Sequence, residues 1–150
     1  MVSSELKIPR IEIVENNATS DQKAAITSSL LQYNDQMARP GLYADFAILL
    51  RDATSDEVVG GLSGQTVYGW TFVKLLVVPE AYRGQGLGRQ LMFKAEALAR
   101  QHESEGIWLD TFDFQARPFY EKLGYKVFGA LEDGPNAHGR YFLKKYFRTA

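Results

Sequence analysis

Residues 83–88 read Arg-Gly-Gln-Gly-Leu-Gly and lie between a β-branched apolar run and a long amphipathic stretch. Leu75-Leu76-Val77-Val78 ends at Pro79, which has no amide proton to give a sheet ladder and so closes the strand. From Leu87 onward the apolar residues fall at Leu87, Leu91, Met92, Ala95, Leu98 and Ala99, the spacing of one helix face. The glycine run is therefore a strand-to-helix turn. Unpaired backbone amides and the positive end of the helix dipole converge at such a point, which suits a bound phosphate. Gly84, Gly86 and Gly88 carry no Cβ, so a ligand can approach the main chain closely there.

Composition narrows what the turn can serve. At 150 residues with 45 % hydrophobic content, the sequence predicts one domain spanning 1–150 with a sizeable core. Its 17 basic and 18 acidic residues nearly cancel, so no global field recruits nucleic acid or an anionic membrane. Lys144, Lys145 and Arg148 form a local basic exception, read as a solvated strand edge. Without cysteine there can be no disulfide, no thiolate metal site and no covalent relay through a thiol. The two histidines, His102 and His138, are too far apart in sequence to suggest a metal site, and no metal is expected. Residues 1–10 lack an apolar signal core, and no run of about 18 apolar residues occurs. The expectation is a soluble, cytoplasmic protein.

No repeat, low-complexity tract or linker divides the chain. Ile8 to Val14 alternates enough for a strand, and Pro9 makes it an edge. Thr19-Ser20-Asp21 supplies cap chemistry for a helix over 20–38, ended by Pro40-Gly41. The β-rich runs 45–51 and 57–66, joined by Asp52-Ala53-Thr54-Ser55-Asp56, predict a hairpin. Tyr68-Gly69 marks a second turn before a strand over 70–78. After the glycine turn come a helix over 87–103, a strand over 107–112, a short helix over 115–123 stopped at Gly124, and strands over 125–131 and 141–147. Three strands joined by short turns favour antiparallel pairing, whereas the strand–helix–strand crossover from 70 to 112 favours a parallel pair. The fold class is mixed α/β.

Two familiar phosphate loops fail on spacing. A nucleoside-triphosphate loop ends in Gly-Lys-Ser/Thr, but Gly88 is followed by Arg89-Gln90. A dinucleotide fingerprint counted from Gly84 and Gly86 places its third glycine on Arg89. The remaining pattern, Arg/Gln-x-x-Gly-x-Gly/Ala, is met at every specified position by Arg83, Gly86 and Gly88. Here the chain resembles the GNAT superfamily of acyl-CoA-dependent N-acyltransferases, whose loop holds the pyrophosphate of coenzyme A. A second signature, Asn-x-x-Ala-x-x-Phe/Leu-Tyr-x-Lys-x-Gly-Phe/Tyr, is matched by Ala116, Phe119, Tyr120, Lys122, Gly124 and Tyr125. Asp113 stands where that signature has Asn, which exchanges an amide that donates for a carboxylate that only accepts. Any hydrogen-bond donor that the pantetheine or nearby backbone needs at this point must then be another group, for which Gln115 is available.

The resemblance covers nearly the whole chain. It implies a mixed central sheet with helices on both faces, whose two central parallel strands splay apart to admit the pantetheine arm. It also implies acetyl-CoA as co-substrate and direct acyl transfer to an amine. The cofactor-binding residues would be Leu75, Leu76, Val77 and Val78 on the strand and Arg83, Gly84, Gln85, Gly86, Leu87, Gly88 and Arg89 on the loop. Asp113, Ala116, Phe119, Tyr120 and Lys122 would complete the set. Tyr120 takes the place of the tyrosine that protonates the departing thiolate in many relatives. A phenol near pKa 10 would give its proton to a thiol near 8.5 at a cost of about 2 kcal/mol. The site must therefore lower the phenol's pKa, or Tyr120 must donate only a hydrogen bond while water completes the transfer.

Deprotonating the acceptor amine needs a base or a water chain. The strand 70–74 offers no carboxylate. Asp110, sharing a strand face with Trp108 and Phe112, is the first candidate, and loop residue His138 the second. His102, near the end of the long helix, reads as a partner of the helix dipole. Aromatics are dense among the segments expected to wall the acceptor site, and no acidic cluster marks a polyamine pocket. A small-molecule amine is favoured over a peptide amine. A non-catalytic acyl-CoA-binding module on the same scaffold is the alternative, and a donor larger than acetyl stays open. Homodimers are common among relatives, but no patch in this sequence declares one.

Overall fold

The structure, a computed structural model, describes residues 6–39 and 41–148. The chain divides into two compact units, residues 1–40 and 41–150. In the first, α1 (Ser20–Met37) begins at a capping box. Thr19 Oγ1 accepts from the Gln22 amide at 3.0 Å, and Gln22 Oε1 accepts from the Thr19 amide at 2.8 Å. At the other end the Ala38 amide donates to Asn34 O. The expected strand over 8–14 is not formed: these residues join no ladder. Alternation marks which side chains suit a sheet face, but only a partner edge makes a strand, and Pro9 removes one of the few donors available.

The second unit is one six-stranded sheet with the order β1-β2-β3-β4-β6-β5. Its strands are β1 (Ala44–Arg51), β2 (Val58–Val67), β3 (Trp70–Val77), β4 (Gly106–Phe112), β5 (Lys126–Leu131) and β6 (Arg140–Tyr146). β1, β2 and β3 form an antiparallel meander, and β4, β6 and β5 pair antiparallel on the other side. Tyr68 and Gly69 both take positive φ, 51° and 84°, which gives the tight β2–β3 turn its hairpin twist. α2 (Leu87–Gln101) and α3 (Arg117–Lys122) are the helices of this unit. The observed bounds lie within three residues of the expected ones, and α3 starts two residues late.

β3 and β4 are the parallel pair, joined through α2. Their ladder is short: Thr71, Val73 and the residue between pair with Ile107, Leu109 and theirs, and nothing beyond. At the next residue β3 bulges, because Val73 faces Gly64 while Leu75 faces Ser63, leaving Lys74 opposite no residue of β2. A bulge bends its strand and sharpens the local twist. β4 keeps its straight register with β6 through Phe112. The two strands therefore part after three residues, which is the splay that the resemblance implied.

α2 buries Leu91, Met92, Ala95 and Ala99 against Leu62, Val73, Ile107, Leu109 and Leu143 of the sheet. Removing a side chain such as Met92 or Leu109 from water contributes about 1.5–3 kcal/mol each. Tyr120 of α3 belongs to the same cluster, and Phe119 sits beside Gly88 of α2, so both helices share one sheet face in this unit. Glu96, buried on that face, pairs with Lys145 of β6 at 2.6 Å, and Lys145 also donates to Leu123 O at the end of α3. One lysine thus ties α2, β6 and α3 together.

The closed end of the splay is pinned by hydroxyls. Thr71 Oγ1 lies 2.7 Å from both Thr66 Oγ1 and Ser104 Oγ, and Thr66 also meets His102 Nδ1 at 3.1 Å. All three hydroxyl residues are buried. His102 caps α2 as its expected place suggests, but its ring is engaged by this chain of hydroxyls. Buried polar groups keep their value only while every member has a partner. Thr71→Val is therefore expected to lower unfolding free energy by about 1–3 kcal/mol, read from denaturant midpoints, with Thr71→Ser costing less. Equal stability of Thr71→Val and the parent protein would contradict the pinning.

Candidate active site

Where β3 and β4 part, a cleft of about 800 Å³ opens. One wall is β3 from Val73 to Val78, continuing into Arg83, Gly84 and Gly86 to Arg89. The other wall is Leu109, Asp110 and Thr111 of β4, followed by Phe114, Gln115, Ala116, Phe119 and Tyr120. Leu75 and Val77 are 63 % and 50 % exposed, large values for apolar residues in a central strand. Their main chain lacks a β4 partner, so this edge of β3 is free to pair with an extended ligand.

The turn before α2 is built from the sequence features that predicted it. A 3-10 turn, Glu80–Tyr82, follows Pro79, and Gly86 caps α2 in the left-handed region at φ 76°. The first intrahelical bond near this end runs from the Gln90 amide to Gly86 O. The amides of Leu87, Gly88 and Arg89 therefore precede the first repeat and point out of the helix. A Cβ at Gly84 or Gly86 would meet nothing within 4 Å, so the backbone there borders open space. Arg83 is held by its Nε, which donates to Val78 O at 2.9 Å. Arg89 lies 5.0 Å from the Phe93 ring. Three outward amides at one helix start, with Arg83 and Arg89 on the same wall, give this end of the cleft a positive character that suits an anion.

That turn is also tethered from outside. Asp52, in the β1–β2 turn, accepts from the Thr54 and Ser55 amides at 2.9 Å each and from the Tyr82 hydroxyl at 2.7 Å. The Ser55 amide, then Tyr82, then the Thr54 amide hold its carboxyl down at about 2. The Tyr82 hydroxyl is correspondingly pushed up by its bond to Asp52. Nothing in the spacing of Asp52 and Tyr82, thirty residues apart, points to this contact.

Most of the expected binding residues converge on the cleft, but Gln85, Asp113 and Lys122 do not line it. Gln85 Nε2 turns back to Tyr82 O at 3.4 Å. Asp113 faces the 132–139 loop instead: its Oδ2 accepts from the Gly139 amide at 3.0 Å, and its Oδ1 lies 3.3 Å from His138 Nδ1. A carboxylate at this position can serve a backbone amide, and here it fastens a loop. His138 is paired with Asp113 and meets the Phe114 ring edge-on at 4.8 Å, so this base candidate lies outside the cleft wall. Gln115 does line the cleft. Its Oε1 accepts from the Phe112 amide at 2.8 Å and the Thr111 hydroxyl at 3.1 Å, while its Nε2 donates to no group among the described residues.

Tyr120 is 9 % exposed and reaches the cleft from α3. Burial, and secondarily the charge of Asp110, push its hydroxyl up to about 12. The site therefore moves the phenol opposite to the direction that full proton donation requires. Asp110 forms an ion pair with Arg140 of β6, Oδ1 accepting from Nε at 3.0 Å and from Nη2 at 2.8 Å. The β4–β6 register brings Arg140 opposite Phe112, a pairing that no local pattern in the sequence announces.

The geometry has its counterparts among known proteins. The profile of the acetyltransferase (GNAT) family matches residues 14–125. An acetyltransferase of Agrobacterium fabrum is 35 % identical over 137 residues, covering 90 % of this chain and 98 % of the relative. Blasticidin-S acetyltransferase of Streptomyces morookaense is 34 % identical over 142 residues, covering 93 % and 98 %. A crystal structure of an Agrobacterium tumefaciens protein assigned as an acetyltransferase superposes with a TM-score of 0.84 at 33 % identity, over 92 % of this chain and all of that one. The chain belongs to the GNAT family and is an acetyltransferase. Among the described residues no helix is long and apolar enough to cross a membrane.

The open space beside Gly86 at the start of α2 carries a direct test. Gly86→Val places a β-branched side chain at φ 76°, which strains the backbone by about 1–3 kcal/mol and covers the outward amides. Calorimetry is expected to show coenzyme A affinity reduced by about tenfold or more. An affinity within about a factor of two of the parent would contradict the phosphate seat.

Proposed function

We propose that this protein transfers an acetyl group from acetyl-CoA directly to the amine of a small molecule. The observation that carries the reading is a cleft in which an anion seat, a free strand edge and a buried phenol follow one another. Arg83, Arg89 and the amides around Gly86 suit the diphosphate, and β3 from Leu75 to Val78 suits the pantetheine amides. The free Nε2 of Gln115 supplies the donor that Asp113, turned away to Gly139, does not. Family membership supports acetyl-CoA as the donor, and the name of the Streptomyces relative supports a small-molecule acceptor. The non-catalytic alternative loses its ground with membership in a family of acetyltransferases.

In the net reaction the acceptor arrives as an ammonium, a C–N bond forms as the C–S bond breaks, and the products are an amide, a thiol and a proton. Main-chain amides of β3 at the splay, beside Leu75 to Val77, would donate to the oxyanion of the addition step. Tyr120 then faces the departing sulfur. With its own pKa at about 12 and a thiol's near 8.5, complete proton donation would be uphill by roughly 5 kcal/mol. Tyr120 therefore stays protonated and stabilises the thiolate by a hydrogen bond, and water at the open cleft completes the transfer. Water likewise takes the proton from the amine. A charge-assisted hydrogen bond of this kind contributes about 1.5–3 kcal/mol.

Tyr120→Phe is accordingly expected to lower kcat about 10–100-fold, less than the upper range of general-acid catalysis. Because the folded pKa is raised, the hydroxyl keeps its proton below pH 10 and loses it only as pH passes about 12. The kcat profile of the parent enzyme between pH 7 and 10 should then show no limb that Tyr120→Phe abolishes. An unchanged kcat in the variant would remove Tyr120 from the mechanism.

A further inference from the structure

The cleft has opposite electrical characters at its two ends. Arg83 and Arg89 line the phosphate end, while Asp110 is the one carboxylate among the described residues lining any part of it. Asp110 stands at the apex, one residue past the last parallel pair, Val73 with Leu109. Arg140 engages only its Oδ1, and Oδ2 accepts no hydrogen bond among the described residues. The guanidinium itself lies over the rings of Phe112 and Phe142, at 5.2 and 5.4 Å, and is not part of the cleft wall. Asp110 thus lines the cleft at its apex, while Arg140, its counter-ion, does not.

Aromatic rings lie near that carboxylate, and Phe114 among them faces the cleft. Trp108 and Phe112 precede and follow it on the same face of β4, each in a stacked pair: Trp108 on Phe72 at 4.1 Å, Phe112 on Phe114 at 5.6 Å. A carboxylate with an aromatic ring beside it in the cleft, here Phe114, attracts a cation on an apolar or aromatic body. On the facing strand, Lys74 occupies the bulge position and also lines the cleft. It has no ion-pair partner among the described residues, so a second positive charge on the acceptor would meet an uncompensated one.

We propose that Asp110 Oδ2 seats the acceptor as an ammonium ion, and that the acceptors are monocationic amines on an apolar or aromatic body. This deepens the role of the acetyl-transfer site and rests on that reading. Asp110 then acts as a fixed anion that orients the amine, while its proton leaves to water. Polyamines are poor ligands because Lys74 opposes their second charge.

The test is calorimetric binding to the full chain loaded with coenzyme A, using benzylamine, benzyl alcohol and para-xylylenediamine at neutral pH. Benzylammonium should bind about tenfold or more tightly than the alcohol of the same shape, and the diamine more weakly than benzylamine. Asp110→Asn should erase the preference for the ammonium over the alcohol, and Lys74→Met should narrow the gap between diamine and monoamine. Equal binding of amine and alcohol to the unmutated protein would overturn the proposal without reliance on any variant. So would an ammonium preference that survives in folded Asp110→Asn. Thiol release is read separately with acetyl-CoA. Charge-selective binding without thiol release would sustain the ammonium seat while removing small-amine acetylation.

Discussion

The structure turns on a parallel ladder that stops after three residues. Thr71 to Val73 hold β3 beside β4, and the hydroxyl chain through Thr66, Thr71 and Ser104 fixes that end. Past it, the bulge at Lys74 bends β3 away while β4 stays in register with β6. A central sheet with an internal gap sacrifices hydrogen bonds that a continuous ladder would make. The loss is tolerable because the freed main-chain groups lie along an open cleft, accessible to solvent. The closed end is what makes the open end possible.

From that gap the chemistry follows in space. The strand edge leads to a helix start whose amides face outward, so the same wall that pairs with an extended chain ends in an anion seat. Across the gap, burial keeps the Tyr120 hydroxyl protonated and Arg140 holds Asp110 in place. A phenol this hard to ionise is a persistent donor and a poor acid, which suits the proposed hydrogen bond to the departing sulfur. A carboxylate bound on one oxygen only has the other to offer. Electrostatics thus favours the proposed division of the cleft into a diphosphate end, beside Arg83 and Arg89, and an ammonium end, at Asp110.

Much of this is legible in the sequence because glycine, proline and helical periodicity act locally. Pro79, the spacing Arg83–Gly86–Gly88 and the apolar stripe from Leu87 to Ala99 define a strand, an anion turn and a helix without any tertiary information. The second signature likewise places Tyr120 at the cleft. What stays hidden depends on register and long-range pairing. Asp110 meets Arg140, and Asp52 meets Tyr82, only because sheet order brings distant residues together. The signature aims Asp113 at the ligand, but its carboxylate finds the Gly139 amide instead. For Tyr120 the sequence leaves two choices open, a more acidic phenol or a hydrogen bond alone. Desolvation, which raises the phenol's pKa, favours the second, and desolvation is a property of packing. Residues 8–14 have a strand's alternation and no partner edge, which periodicity cannot supply.

Hydrogen–deuterium exchange with and without acetyl-CoA addresses the gap itself. Amides from Lys74 to Val78 and from Gly84 to Arg89 are expected to gain protection when the carrier binds, while Thr71 to Val73, already paired with β4, change little. Saturating acetyl-CoA that leaves exchange in 74–78 unaltered would contradict the claim that β3 parts from β4 to receive it.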